Sequence, residues 1–311
     1  MIAHPHGIHA IDAHYVRPMQ DAAHLIVQQN RAAFVDCGTS YSVPHLLAAL
    51  DALGLARDQV DYVFLTHAHL DHAGGAGQLL RALPTARAVL HPRAAPHLVS
   101  PEVLIQASIG VYGEENFKQL YGEILPVPQQ RVIITDDGMK LAWAGRNLEF
   151  LHTPGHAMHH YALADLDHSG IFTGDIFGIS YRELDVAGRV FIFPTTTPTQ
   201  FDPAQMLQSI DRIVARQPQC VYLTHYSRVT GVPQLAESLR RQVNAFSELA
   251  LRHAALPDRR DRIATDMLTL WMNDLRAMGS RLSDDELRDV LGFDSTLNAD
   301  GLVSWLQRTR K

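Results

Sequence analysis

Four residues that can bind a metal ion lie within six positions of this chain. His67, His69, Asp71 and His72 follow the apolar run Val63-Phe64-Leu65. Because alternate side chains of an extended segment point to the same face, His67 and His69 are expected to lie side by side. A turn or helix start after them would direct Asp71 and His72 to a second point close by. Imidazole nitrogens and carboxylate oxygens are ligands of zinc-type ions, so this spacing predicts a metal site.

Three further segments each place one histidine or aspartate just beyond the end of an apolar strand. They are Thr153-Pro154-Gly155-His156, Thr173-Gly174-Asp175 and Leu223-Thr224-His225. Loops at strand ends commonly build active sites, because a rigid sheet positions them. Histidine is also frequent, with 18 among 311 residues. We therefore add His156, Asp175 and His225 to the candidate ligands.

The elements that must position these residues alternate between short strands and helices. Helices are predicted over residues 43–53, 77–83 and 203–215, and residues 101–125 are interpreted as a helical insertion that covers the site. Strands are predicted over residues 7–16, 24–28, 32–36, 62–65, 88–90, 131–135, 140–144, 148–151, 161–165, 170–173 and 220–224. Such alternation indicates a layered α/β fold rather than a pure β-sandwich.

The pattern of apolar residues becomes helical throughout after about residue 231. Leu235, Leu239, Val243 and Phe246 recur at steps of three and four residues, which is typical of a helix with one apolar face. Further helices are predicted over residues 258–278, 283–291 and 298–306, the second beginning with a capping box between Ser283 and Glu286. We predict a catalytic domain over residues 1–231 and a helical region over 232–311. These helices either complete the main core or form a separate module.

Composition excludes several classes of protein. Lys and Arg total 27 against 33 Asp and Glu, a net charge of −6, which argues against a nucleic-acid partner. Hydrophobic residues make up 46% of the chain, as in ordinary globular proteins. No run approaches the ~20 apolar residues that span a bilayer. Two cysteines, and no visible signal peptide, suggest a reducing cytoplasm. The expected partner is a small-molecule substrate, and a homo-oligomer is left open.

The order of these motifs resembles the metallo-β-lactamase superfamily over about residues 8–226. The resemblance implies an αββα sandwich with metal ions at one edge, followed here by a C-terminal helical appendage. It also implies that one ion is held by His67, His69 and His156, a second by Asp71, His72 and His225, with Asp175 bridging the two. Asp36 matches a position that supports ligand histidines from behind. We add His160 as a second residue of this supporting kind.

Asp175 indicates which branch of the superfamily the chain resembles. The β-lactamases proper have cysteine where this chain has Asp175, and they lack the pairing of Asp71 with His72. The pattern is instead similar to that of glyoxalase II and the lactonases, and glyoxalase II also carries a C-terminal helical region.

The implied chemistry is hydrolysis of an ester, thioester or lactone of a small molecule. Two divalent ions, expected to be zinc with iron or manganese as alternatives, would share a bridging hydroxide that attacks the carbonyl. Asp71 is predicted to assist the leaving group as an acid. Tyr181 is a further catalytic candidate. Arg182 and Thr196, the latter in the loop of residues 195–198, are predicted to contact substrate together with Tyr181.

Other activities of the same superfamily are alternatives. A persulfide dioxygenase would bind a single iron through two histidines and Asp175, a ligand set that also suits non-haem iron. An RNA-processing nuclease is disfavoured by the acidic charge. A non-catalytic binding protein is disfavoured because all seven ligands are present.

Overall fold

The computed structural model describes residues 1–196 and 199–309. These residues form two compact units, each made of several chain segments. The sheet unit comprises Met1–His152, His159–Gly174 and Gln219–Thr230, and the helical unit comprises Thr153–Met158, Asp175–Pro218 and Gly231–Lys311. The tail segment of the helical unit begins at Gly231, and two earlier segments belong to the same unit. The division into a catalytic domain and a helical region stays a prediction.

Seven strands form the first sheet of the sheet unit, in the order β1 to β7. Strands β1 to β4 pair antiparallel, whereas β4 to β7 pair parallel. Parallel neighbours bring the ends of β4, β5 and β6 to one edge, where the first histidine motif lies. The strands are β1 Ile2–His4, β2 Ile8–Asp12, β3 Ala22–Gln28, β4 Arg31–Val35, β5 Val60–Leu65, β6 Arg87–Leu90 and β7 Val132–Ile134.

Six strands form the second sheet, in the order β13-β12-β11-β10-β9-β8. Only β11 and β12 pair parallel among these strands of the described chain. The strands are β8 Lys140–Trp143, β9 Arg146–His152, β10 Tyr161–Asp165, β11 Gly170–Gly174, β12 Cys220–Leu223 and β13 Ser227–Val229. Every strand predicted from the sequence is present, and the short strands β1 and β13 were not predicted.

The two sheets pack face to face around an aromatic core. Phe64 of the first sheet lies 5.9 Å from Phe150 of the second, measured between ring centroids. The Tyr161 hydroxyl donates to the Val89 carbonyl across the same layer at 2.9 Å. Val35 also belongs to this core, whereas its neighbour Phe34 packs on the opposite face. Consecutive strand residues point to opposite faces, so the first sheet is buried on both sides.

Six helices of the sheet unit connect its strands. Leu46 and Leu79, on two of them, pack with Phe34 and Val63 on the outer face of the first sheet. This burial of apolar side chains on both faces of one sheet is a layered α/β arrangement. The helices are α1 Val43–Ala52, α2 Leu70–Ala73, α3 Ala76–Ala82, α4 Ala95–Val99, α5 Glu102–Tyr112 and α6 Glu114–Tyr121. The predicted helical insertion corresponds to α5 and α6.

Four longer helices dominate the helical unit: α7 Pro203–Val214, α8 Val232–His253, α9 Arg259–Met278 and α10 Asp284–Thr309. Asp202 caps α7 by accepting from the Gln205 N–H at 2.9 Å. The predicted capping box is present, since the Ser283 N–H donates to Glu286 at 2.7 Å and the Glu286 N–H donates to the Ser283 hydroxyl at 3.2 Å.

The prediction of two short helices over 283–291 and 298–306 was wrong, because α10 runs through both. Asp294 and Asn298 look like helix breakers in the sequence, yet both are buried and bonded within the helical unit. Gly292 lowers the stability of the helix somewhat, because glycine has a low helix propensity. No atom lies within 4 Å of where its Cβ would be, so the missing side chain leaves no cavity in the core. Among the described residues, no helix is both long enough and apolar enough to span a membrane.

Candidate metal centre

The first histidine motif forms a cluster at the carboxyl end of β5. His69 is the extended residue that precedes helix α2, so the chain turns sharply between His69 and His72. The rings of His67 and His69 lie 4.4 Å apart, and those of His67 and His72 lie 4.1 Å apart. The extended segment and the start of a helix therefore bring these three imidazoles together.

Asp71, His72 and His225 form one group whose ligand atoms all lie within 4.8 Å of one another. The Nε2 atoms of His72 and His225 lie 3.6 and 3.8 Å from the same carboxylate oxygen, Asp71 Oδ2. His225 follows β12 in the second sheet, so opposite sheets of the sheet unit supply this group. The Asp71 side chain is 21% exposed, whereas both imidazoles are buried.

Carboxylates behind the two imidazoles determine which nitrogen of each ring faces Asp71. His72 Nδ1 lies 2.8 Å from Asp36 Oδ2. His225 Nδ1 lies 2.6 Å from Asp21 Oδ1 and 3.2 Å from the Gln20 carbonyl oxygen, to which it donates. These oxygens accept, so each Nδ1 carries a proton, and Nε2 is the nitrogen of each ring that faces Asp71. Two imidazole nitrogens and one carboxylate thus converge, an arrangement that a divalent cation would stabilise. This donor set fits a metal ion.

Asp36 links three segments of the sheet unit at this edge. Its carboxylate accepts from the Thr66 N–H at 2.8 Å and from the Thr224 hydroxyl at 3.0 Å, in addition to His72. The Thr66 hydroxyl donates to Asp36 and lies 3.1 Å from Nδ1 of His67. Asp36 therefore orients His72 directly and His67 through Thr66.

Sequence reasoning missed Asp21. It lies just before β3, and burial raises its pKa to about 6, although His225 opposes that rise. The Ala22 N–H donates to the Thr224 carbonyl at 2.7 Å, which holds the start of β3 against the segment that carries His225. Nothing in the local sequence distinguishes this aspartate from an ordinary loop residue, because its partner lies some 200 positions away in the chain.

His160 and its neighbour His159 pack behind the first histidine motif. The His160 ring lies 5.0 Å from that of His67. The Ala68 N–H donates to His159 Nδ1 at 3.3 Å, so His159 also holds the motif. Gly174 makes room for this packing, because a Cβ on its backbone would lie 2.6 Å from His160 Nε2.

His156 and Asp175 form a pair within the helical unit. His156 Nε2 lies 3.4 Å from Asp175 Oδ2, and both side chains are buried. His156 Nδ1 lies 3.3 Å from the Thr195 carbonyl oxygen and donates to it, so Nε2 is the nitrogen that faces the carboxylate. Gly155 allows this turn, because it has a φ of +135° and a Cβ there would lie 2.3 Å from the Met206 backbone nitrogen.

The three predicted substrate residues all lie in the helical unit. The Tyr181 hydroxyl donates to Asp294 on α10 at 3.2 Å. Arg182 donates to the Ser180 carbonyl at 2.7 Å and pairs with Asp185 at 3.2 Å. The Thr196 hydroxyl lies 2.8 Å from the Asn298 side-chain oxygen. Residues 197 and 198 of the same loop lie outside the described residues, and the substrate roles stay predictions.

Helices α5 and α6 place an apolar surface next to the first motif. Leu70, between His69 and Asp71, packs in one cluster with Tyr15, Phe117 and Tyr121. The Tyr15 hydroxyl donates to that of Tyr121 at 3.2 Å. Burial raises the pKa of Tyr15, and the negative charge of Asp71 adds to the effect. Both hydroxyls therefore stay protonated near Asp71.

Comparison with known proteins agrees with this architecture. The family model for the metallo-beta-lactamase superfamily matches residues 16–225. The metallo-beta-lactamase fold-containing protein ST1585 of Sulfurisphaera tokodaii is 26% identical over 250 residues, which are 79% of this chain and 87% of that protein. Its crystal structure superposes with a TM-score of 0.68 at 21% identity and covers 95% of this chain and 98% of the other.

A hydroxyacylglutathione hydrolase of Aeromonas hydrophila is 32% identical over 193 residues, which are 61% of this chain and 55% of that enzyme. A solved structure described as TTHA1623 in a di-iron-bound form is 25% identical, with a TM-score of 0.53 over 72% of this chain and 96% of the other. The predicted resemblance and fold class are confirmed. This chain belongs to the metallo-beta-lactamase superfamily.

Proposed function

We propose that this protein is a hydrolase that uses two divalent metal ions to cleave an ester, thioester or lactone. The observation that carries the proposal is the grouping of Asp71, His72 and His225, in which the two Nε2 atoms lie 3.6 and 3.8 Å from Asp71 Oδ2. Imidazoles grouped around a carboxylate have the composition of a metal site. The relation to a hydroxyacylglutathione hydrolase supports hydrolysis of an activated acyl bond.

We assign the ligands to two groups as the family resemblance implies. One ion is assigned to His67, His69 and His156 and the other to Asp71, His72 and His225, with Asp175 shared between them. All seven residues are histidine or aspartate. Zinc suits this set, and iron or manganese are alternatives, of which iron gains support from the di-iron form of a relative.

The residues around the site have distinct tasks in this proposal. Bound ions would supply Lewis acidity and a water molecule of lowered pKa. Asp36 and Asp21 keep the protons of His72 and His225 on Nδ1, so these rings cannot themselves act as acids. Asp71 is the exposed carboxylate of its group, and we assign it the transfer of a proton to the leaving group.

The surface beside Asp71 suggests what the substrate carries. Helix α5 has no fully buried residue although it is rich in apolar side chains, and Val103 is 72% exposed. Its Leu104, Ile105 and Ile109 lie half-buried in the cluster that contains Leu70. We propose that these side chains contact an apolar acyl or alkyl group of the substrate while the reactive carbonyl lies at Asp71.

A mononuclear iron persulfide dioxygenase is the second candidate function. Iron stays among the metals to be tested, because a similar solved structure is described as di-iron-bound. We propose a cytoplasmic location and a small-molecule partner, because Cys37 and Cys220 are both buried free thiols and the net charge is −6.

Metal analysis and a substrate panel test the proposal together. The purified protein is expected to hold two ions per chain and to hydrolyse thioesters and lactones without consuming oxygen. Acyl chains of increasing length should lower KM in the wild type but not in Ile105→Asp, and Val103→Asp on the exposed side of α5 is the matched control. One iron per chain with oxygen uptake would favour the dioxygenase, and protein that binds no divalent ion would refute both.

A further inference from the structure

We propose that Asn298 on helix α10 is a positioning residue that sets the orientation and tautomer of His156. The proposal rests on the proposed function in so far as His156 is taken to bind an ion. Its geometry lies entirely within the helical unit. It assigns to the C-terminal helical region a role at the ligand itself, which the motif pattern does not indicate.

The link begins at one peptide group. His156 Nδ1 donates to the Thr195 carbonyl oxygen at 3.3 Å, and the N–H of Thr196 donates to Oδ1 of Asn298. The Thr195 carbonyl and the Thr196 N–H belong to the same planar peptide, so they point in opposite directions. Whatever holds the N–H therefore also aims the carbonyl. Asn298 therefore accepts from the N–H of this peptide, and His156 donates to its carbonyl oxygen.

The Asn298 side chain is itself held in a single orientation. Its Nδ2 donates to the Asp294 carbonyl at 2.8 Å, so its Oδ1 must face the Thr196 N–H. The Thr196 hydroxyl lies 2.8 Å from the same Oδ1 and 2.9 Å from the Asn298 carbonyl. Asn298 is only 1% exposed. A flipped amide would place two donors against each other in a buried site, which is strongly unfavourable.

The consequence for His156 concerns its second nitrogen. While the Thr195 carbonyl accepts from Nδ1, that nitrogen carries a proton, and Nε2 is the nitrogen that lies 3.4 Å from Asp175 Oδ2. If the peptide rotated, Nδ1 would lose its acceptor and the proton could move to Nε2. Residues behind a ligand histidine typically change metal affinity by about 10- to 100-fold when they are lost.

The test compares two buried amides of the helical unit. Asn298→Leu removes the acceptor of the Thr196 N–H. Gln242→Leu is the matched control, because Gln242 is also buried and donates from α8 to the Ile192 carbonyl at 2.8 Å without bonding to residues 195 or 196. We expect the zinc affinity of Asn298→Leu, measured by competition with a chelator, to fall about 10-fold or more, and that of Gln242→Leu to be unchanged.

A second readout needs no metal. Nitrogen-15 NMR of metal-free protein is expected to show the Nδ1-protonated tautomer of His156 in the wild type and in Gln242→Leu, and a mixture of tautomers in Asn298→Leu. If Asn298→Leu does not fold, Asn298→Asp keeps the acceptor oxygen and should preserve the Nδ1 tautomer. A wild-type tautomer in folded Asn298→Leu, or loss of the tautomer in folded Asn298→Asp, would overturn the proposal. Wild-type protein that binds no zinc would refute the proposed function alone.

Discussion

A proton on Nδ1 is what makes each buried imidazole of the candidate site a ligand. His72 and His225 hold that proton against Asp36 and Asp21, and His156 holds it against a backbone carbonyl. Ligand histidines were recognisable because their motif is dense and ordered. The carboxylates behind these histidines were harder to recognise. Asp36 was predicted from the family resemblance, whereas Asp21 is identified only by its contact with His225.

At Asp21 we predict a loss of metal affinity from a change of one atom. Asp21→Asn keeps the size of the side chain but removes the charge that holds the proton of His225 at 2.6 Å. The affinity for the second ion should fall about 10-fold, as chelator competition would measure. Asp167→Asn is the control, because Asp167 bonds only locally, to Asn147, at the surface. Equal affinity in the Asp21 and Asp167 variants would contradict this account.

Asp175→Ala should remove bound metal and turnover but leave the fold intact. The substitution deletes the carboxylate that faces His156 Nε2 and makes the side chain smaller, so no clash results. Metal content by mass spectrometry and far-ultraviolet circular dichroism would show the two effects separately. Turnover that matches the wild type would show that Asp175 is not a ligand.

At the scale of elements, periodicity identified the strands because each has a strongly apolar face. In β4 and β5 both faces are buried, so the strands appear as short, nearly continuous apolar runs. The edge strands β1 and β13 are only three residues long and partly exposed, and a pattern of period two cannot be recognised over so few positions. Helix α10 was divided in two because its buried polar residues interrupt the apolar stripe.

In β3, a buried histidine should make the fold sensitive to acid. Burial lowers the pKa of His24 to about 3, so the folded state binds fewer protons than the unfolded state between about pH 6.5 and 3. The free energy of unfolding therefore falls as the pH falls through this window, by up to about 5 kcal/mol. In His24→Gln that dependence should be weaker, as acid titration followed by circular dichroism would measure. An equal change in exposed His45→Gln would contradict the prediction.

The end of helix α6 depends on a glycine. Gly122 has a φ of +66°, and a Cβ there would lie 2.1 Å from the Ser40 hydroxyl oxygen. Gly113, before the same helix, has a φ of +79° but no atom within 4 Å of its would-be Cβ. Gly113→Ala should therefore cost only the backbone strain of about 1–3 kcal/mol, and Gly122→Ala should cost more. Chemical denaturation of both variants tests this order.

At the scale of the whole molecule, metal binding should add stability without being required for folding. The sheet unit has an extensive apolar core, so the metal-free chain is expected to keep its secondary structure. A ligand present at 100 times its Kd stabilises the folded state by about 2.7 kcal/mol. Melting in a zinc buffer and in excess chelator should thus give a higher Tm with zinc and the same far-ultraviolet spectrum. Identical melting curves would argue against a site in the folded chain.

The sequence by itself indicated the class of fold, the positions of most of its strands and the seven candidate ligands. It did so because apolar periodicity and the dense motif from His67 to His72 are local properties, readable over a few residues. Only the tertiary structure revealed Asp21 behind His225 and Asn298 behind the Thr195–Thr196 peptide. These contacts join residues about 100 to 200 positions apart, and a hydrogen bond between distant segments leaves no spacing or period in the chain.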